Sequence, residues 1–213
     1  MNIVCFKVGD LYSAEHVNKL YNMVKRNTTY DFNFICFTEQ PKDIEKHIDV
    51  RPLPCEGLYH WWNRMALFKK GVLSGPCINI DLDVVIHNNI DEVFELDDSF
   101  YMVPRNWIGG GVHIGCSGYN DCVVKFNADK HNFMWDMYQE AGDTALFGTQ
   151  VDNAMTLILK LGKYEHKLFP QEWFWRFWNK EHKNEKSKFC HFSANNDHKQ
   201  HTIDDEFVKE HWV

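Results

Sequence analysis

The chain has no block of basic residues, no long uninterrupted apolar run and no C-x-x-C pair. Each absence excludes something. With a formal net charge of -7 spread along the chain, there is no basic stripe to neutralise a phosphate backbone, so nucleic acid is excluded as the expected partner. No apolar stretch approaches the length of a membrane span, and the amino terminus, Met1-Asn2-Ile3-Val4-Cys5-Phe6, is broken by Lys7 before it reaches the length of a signal core. The 7 cysteines are odd in number, and several stand inside apolar runs, which fits small core residues in a reducing compartment better than a disulfide framework. A soluble, cytoplasmic protein is the expectation. No repeat, low-complexity linker or domain boundary is visible.

What is present is an ordinary globular composition, with 44% hydrophobic and 25% charged residues, in a chain long enough to bury a sizeable core. A first strand is predicted over residues 2–8, followed by a helix capped by Ser13 with Val17, Leu20, Tyr21 and Val24 on one face. Strands are expected at Phe32–Thr38 and near His47–Leu53, then a helix around Trp61–Lys70 leading into the run Ile78–Ile86. This β-α-β rhythm predicts an α/β fold with a mostly parallel, Rossmann-like sheet and flanking helices, with ligands at the carboxyl ends of the strands. Later segments read as a turn of helix at Ile90–Glu95, strands near Phe100–Val103 and Gly111–Cys116, and helices at Phe133–Glu140 and after Gln150.

The most informative phrase is Ile78-Asn79-Ile80-Asp81-Leu82-Asp83-Val84-Val85-Ile86. Read as one buried strand, it sends Asp81 and Asp83 to the same face, where two desolvated negative charges repel unless something cationic lies between them. A divalent cation with oxygen ligands is the simplest candidate, and a diphosphate is its usual companion. An acidic protein that binds an anionic nucleotide needs such an ion or a local cluster of cations.

Several further phrases carry a resemblance: Asp10-Leu11-Tyr12 after the first strand, Arg64 in Trp61-Trp62-Asn63-Arg64-Met65-Ala66-Leu67-Phe68, and Asn89-Ile90-Asp91-Glu92-Val93-Phe94-Glu95 after the aspartate pair. Gly110-Gly111-Val112 and the late His191-Phe192 add to it, although Gly109 replaces the asparagine of the pattern. Together these resemble the nucleotide-sugar glycosyltransferases of the GT-A fold, most closely the glycogenin-like group. The resemblance implies a single domain over residues 1–213, with a donor and metal half to about Asn89 and an acceptor-facing half beyond it, in what the chain's end suggests is a fragment of a longer protein. It also implies a UDP-sugar donor, an Mn²⁺ or Mg²⁺ ion, and transfer of a hexose or deoxyhexose to a hydroxyl of an oligosaccharide or glycoprotein glycan. A chain without a visible signal or anchor looks more like a bacterial or viral glycosyltransferase domain acting in cytosol than like a Golgi enzyme.

By the same resemblance Asp83 and His191 are metal ligands and Asp81 touches metal or ribose, a donor set suited to an ion of intermediate softness. Tyr12 is placed either to stack on a uracil ring or to pack in the core at a helix start, and the backbone at Val8 to read the base edge. Lys7 and Asp10 are candidates for base or ribose contacts, and Gly111 for a donor contact. Arg64 is placed either to meet a phosphate or to hold Asp81. Where the family carries an Asp-Gln pair, this chain has Thr149-Gln150, so the catalytic assignment moves to Asp152, as general base, nucleophile or charge stabiliser, with Gln150 on the donor sugar. The Thr149–Asp152 spacing equally fits a capping box. The aromatic run Trp173–Trp178 is expected to be core, with Trp107 and Trp175 as candidate acceptor contacts. Two other readings stand beside this one. Asp81-Leu82-Asp83-Val84-Val85 also fits the D-x-D signature of haloacid-dehalogenase-type phosphatases, and Thr149 in place of aspartate fits a non-catalytic module that binds a nucleotide-sugar.

Overall fold

The computed structural model describes residues 1–58, 60–104, 118–146, 150–192 and 204–213. At its centre is a seven-stranded sheet in the order β3-β2-β1-β4-β7-β6-β8. Its strands are β1 (Asn2–Lys7), β2 (Asn33–Thr38), β3 (Asp49–Arg51), β4 (Pro76–Ile80), β6 (Tyr101–Pro104), β7 (Tyr119–Asn127) and β8 (Lys167–Leu168). The first four strands are mutually parallel and β8 is parallel to β6, while β7 runs antiparallel to both β4 and β6. The sheet is therefore mixed but mostly parallel, as the β-α-β rhythm predicts. The antiparallel β7 was not foreseen.

Both faces of β1 are buried, which is why it reads as a nearly continuous apolar run. Ile3 and Cys5 pack toward α1 (Ala14–Asn27), whose Val17, Leu20, Met23 and Val24 line that side. Val4 and Phe6 face the opposite layer, made by α3 (Phe133–Leu146), α4 (Val151–Leu161) and the 3₁₀ helix His60–Phe68. The expected α-helix at Trp61–Lys70 is thus a 3₁₀ helix. Ser13 caps α1 as expected, with His16 in the place usually held by glutamate: the Ser13 amide donates to His16 Nδ1 at 3.3 Å. Gly142, at φ 66°, kinks α3.

The aspartate run corrects the expectation of one unbroken strand. β4 ends at Ile80, and the Val84 amide donates back to the Asp81 carbonyl at 3.2 Å, closing a turn over Asp81–Val84. The chain then leaves for a second sheet, β5-β10-β9, made by β5 (Val84–Ile86), β9 (Phe174–Arg176) and β10 (Phe189–His191). The turn relieves the problem set by two charges on a buried strand, since Asp81 and Asp83 sit at a sheet edge with 19% and 17% of their side chains exposed.

The phrase Asn89–Glu95 is structural. Asp91, at the start of α2 (Asp91–Glu95), accepts from Thr28 Oγ1 and the Thr29 amide at 2.6 and 2.8 Å, pinning the end of α1 to the chain leaving β5. β6, β7 and β8, which follow Asn89, enter the same sheet as the first four strands. The short helix α5 (Glu206–His211) lies on α1, where Arg26 donates to the Val213 carbonyl at 2.6 Å and Trp212 stands 5.1 Å from the His16 ring. Among the described residues no helix is long and apolar enough to cross a membrane.

Candidate functional site

β1 and β4 are adjacent and parallel, so their carboxyl ends lie side by side. From β1 comes the loop Val8–Tyr12, and from β4 the turn holding Asp81 and Asp83. β10 pairs antiparallel with β5 in a register that sets His191 against Val84, and the Phe192 amide donates to the Asp83 carbonyl at 2.9 Å. That backbone ladder brings a residue from the far end of the sequence to the aspartate turn. One ligand atom from each of Asp81, Asp83 and His191 lies within 4.8 Å of the others, and His191 Nε2 is 3.3 Å from Asp83 Oδ2.

Arg64, on the 3₁₀ helix, forms the next shell. Its Nη2 lies 2.5 Å from Asp81 Oδ1, and its Nη1 pairs with Asp121 on β7. Arg64 thus bridges Asp81 and Asp121. Asp121, 10% exposed at the side chain, is not among the residues expected from the sequence, although it stands at the head of the apolar run Cys122–Val124 much as Asp81 stands at the end of β4.

The electrostatics follow from burial and crowding. Burial pushes the Asp81 carboxyl well above its usual range, and Asp121 and Asp83 push the same way, against the pull of Arg64. For Arg64, burial acts downward, but Asp121 and Asp81 outweigh it and hold the guanidinium above its ordinary value. Tyr12 packs its ring 5.2 Å from the His16 ring and lies near enough to Asp83 and Asp81 for their charges to act on its hydroxyl. Burial first, then Asp83 and Asp81, raise the phenol, so it stays protonated as a donor.

Two carboxylates and an imidazole converging at a partly open sheet edge form a donor set that suits a divalent ion of the Mn²⁺ or Mg²⁺ kind. The desolvation that drives Asp81 upward is what a nearby cation would offset. Asp81 gives one oxygen to Arg64 and keeps a second.

The other expected residues divide. Lys7 is buried, with its Nζ donating to Gln40 Oε1 at 2.5 Å and to the Gly9 carbonyl at 3.1 Å, while Gln40 Nε2 donates to Asp10 Oδ1 at 3.0 Å. Lys7 and Asp10 are therefore joined through Gln40 at the ends of β1 and β2. Val8 leads from β1 into that loop. Gln150 is the N-cap of α4, and Asp152 is buried in its first turn, where Oδ1 accepts from the Asn153 amide at 2.7 Å. α4 packs on β7 and on the 3₁₀ helix, the two elements that carry Asp121 and Arg64. Trp175 corrects an expectation: it is 1% exposed, its indole donates to His87 Nε2 at 2.8 Å, and it is a core residue with no face for a sugar. Trp107, Gly109, Gly110, Gly111, Val112 and Thr149, with the strand expected at Gly111–Cys116, lie outside the described residues.

No known family's sequence pattern matches the chain, and no curated protein matches it. Solved structures do. An active-site mutant of LgtC superposes with a TM-score of 0.65 at 12% identity, over 92% of this chain and 88% of that one. The glycosyltransferase GlyE of Streptococcus pneumoniae TIGR4 gives 0.62 at 12% identity, over 91% of this chain and 55% of that one. The bifunctional glycosyltransferase WbbM gives 0.61 at 11% identity, over 92% of this chain and 46% of its own, so this chain spans about half of GlyE and WbbM. At such identities the likeness is one of fold: the chain has a GT-A-type α/β fold.

Proposed function

We propose that the chain is a divalent-metal-dependent glycosyltransferase that moves a hexose or deoxyhexose from a UDP-sugar to a glycan hydroxyl. The observation that carries this reading is the convergence of Asp81, Asp83 and His191 at the carboxyl edge of a GT-A-type sheet. LgtC, described as a galactosyltransferase, has been solved with donor and acceptor sugar analogues, which supports a two-substrate reaction on this fold. Kinship with the glycogenin-like group rests on the sequence phrases alone.

Asp81, Asp83 and His191 hold the ion, which when bound neutralises the charge that builds on the departing nucleoside diphosphate. Tyr12, with its hydroxyl near Asp83, helps to place that carboxylate, and Arg64 orients Asp81. The loop Val8–Tyr12 beside the aspartate turn receives the base and ribose, with Lys7, Gln40 and Asp10 fixing its shape. Gln150 contacts the donor sugar, and Asp152, in the first turn of α4, is the proposed catalytic carboxylate. The phosphatase alternative is not favoured. Its aspartate belongs at the end of a first strand, whereas three strands precede β4 here, and its nucleophile would be Asp81, which is paired with Arg64.

Incubating the purified chain with UDP-sugars, with and without EDTA, and following UDP release tests the reading. Turnover that requires the ion and is lost in Asp83→Asn supports it. Release of UDP that is indifferent to both overturns it, and donor binding with no turnover would leave a binding module.

A further inference from the structure

We propose that Asp121 is a positioning residue for the metal cluster: by holding one arm of the Arg64 guanidinium it keeps Arg64 from closing on both oxygens of Asp81, so that Asp81 retains an oxygen for the divalent cation. The proposal rests on the metal-dependent reading above and adds to it a residue that reading does not use.

Geometry comes first. A guanidinium facing a single carboxylate favours the two-bond fork, which occupies both carboxylate oxygens. Here the fork is split. Nη2 goes to Asp81 Oδ1 at 2.5 Å, and Nη1 goes to the Asp121 carboxylate, with the Asp121 carbonyl a further 3.4 Å contact of the same nitrogen. Arg64 lies on the 3₁₀ helix and Asp121 on β7, while Asp81 is the first residue of the turn after β4. β7 pairs with β4 in a register that sets Val123 against Ile80, and the Asp81 amide donates to the Cys122 carbonyl at 2.9 Å, so the backbone fixes the separation of Asp81 and Asp121. Arg64 enters between them from the 3₁₀ helix with 12% of its side chain exposed.

Charge makes a second, independent argument. Asp81, Asp83 and Asp121 against the one Arg64 leave two negative charges, with the imidazole ligand neutral as metal binding requires. That matches one divalent ion. Without Asp121 the surplus would be a single negative charge, already half-engaged by Arg64. Partners just outside the ligands of a metal set its affinity in this way, and their loss commonly weakens binding on the order of tenfold or more.

The test is Mn²⁺ titration of the whole chain, read by the electron paramagnetic resonance of free Mn²⁺, for the wild type, Asp83→Asn, Asp121→Asn and Asp121→Glu. Expected results are near-complete loss in Asp83→Asn, a fall in affinity on the order of tenfold in Asp121→Asn, and recovery in Asp121→Glu, which restores the charge. The kcat/KM of Asp121→Asn should return toward the wild-type value as Mn²⁺ is raised, which a merely structural defect would not allow. Should Asp121→Asn not fold, Arg64→Gln reads the same contact from the other side: it frees Asp81 and should tighten Mn²⁺ binding. Unchanged Mn²⁺ affinity in Asp121→Asn or Arg64→Gln, with binding still lost in Asp83→Asn, overturns the role of Asp121 while leaving the metal site standing. Mn²⁺ binding that is absent, or indifferent to Asp83→Asn, overturns both.

Discussion

His191 Nε2 stands 3.3 Å from Asp83 Oδ2, although three strands of the central sheet and the helices α2, α3 and α4 lie between the two in sequence. The contact is made by main chain: β10 lies antiparallel on β5, and the Phe192 amide bonds the Asp83 carbonyl. The imidazole is therefore held by a ladder that does not depend on the side chain. His191→Ala is expected to fold and to bind Mn²⁺ on the order of 10- to 100-fold more weakly, since one of three protein ligands is gone. Calorimetric titration checks this, with the melting temperature as the control for folding. Equal affinity in His191→Ala would take the imidazole out of the site.

Tyr12→Phe separates two readings of that residue. Its ring packs on His16 and its hydroxyl lies near Asp83, so the phenylalanine keeps the packing and loses the polar group that faces that carboxylate. A loss on the order of 1–3 kcal/mol is expected, together with a fall in turnover as Asp83 loses its orientation. Were the ring instead a stacking platform for the base, the substitution would leave kcat untouched. Steady-state kinetics in saturating Mn²⁺ and urea unfolding together decide between them.

Arg64→Met leaves Asp81 and Asp121 facing each other with no counter-charge. Removing one partner of a buried ion pair typically costs about 3–5 kcal/mol, because the charge left behind is uncompensated. The cost should shrink when Mn²⁺ is added, since the ion supplies the missing positive charge. Urea titrations with and without Mn²⁺ measure both effects. A loss below about 1 kcal/mol, the range of exposed pairs, would mean that solvent already screens the network.

Much of this arrangement is legible in the sequence, and the exceptions share a cause. β1, β2, α1 and α4 follow from local periodicity and caps. The three clustered residues were named from the phrase at Asp81–Asp83 and from His191-Phe192. Asp121 escaped because its significance lies in pairing across β4 and β7, a long-range register that no local pattern encodes. The break at Asp81–Val84 escaped for a related reason: Val84-Val85-Ile86 is as good a strand as Ile78-Asn79-Ile80, and only the desolvation cost of the charges between them requires the turn. The aromatic run Trp173–Trp178 was read as core, which holds for Trp173, Phe174, Trp175 and Phe177, while Trp178 is half exposed. That Phe174–Arg176 would be a strand was not visible in so short a segment.

His87 makes the last prediction, one of pH. Its Nε2 accepts from the Trp175 indole at 2.8 Å, which requires a neutral ring, and burial, helped by His211 and Lys183, lowers its pKa to about 3. The unfolded chain protonates this imidazole near pH 6.5. Between about pH 6.5 and pH 3 the unfolded state therefore binds more protons than the folded one, and stability falls as pH falls. At about 1.4 kcal/mol for each unit, the loss from pH 6.5 to pH 5 is on the order of 2 kcal/mol. His16 and His131, also lowered by burial, act in the same direction. His87→Gln keeps an acceptor for the indole but cannot be protonated, so its unfolding free energy, measured in urea from pH 7 to pH 5, should decline less steeply than that of the wild type. Identical slopes for the two proteins would show that His87 does not carry this pH dependence.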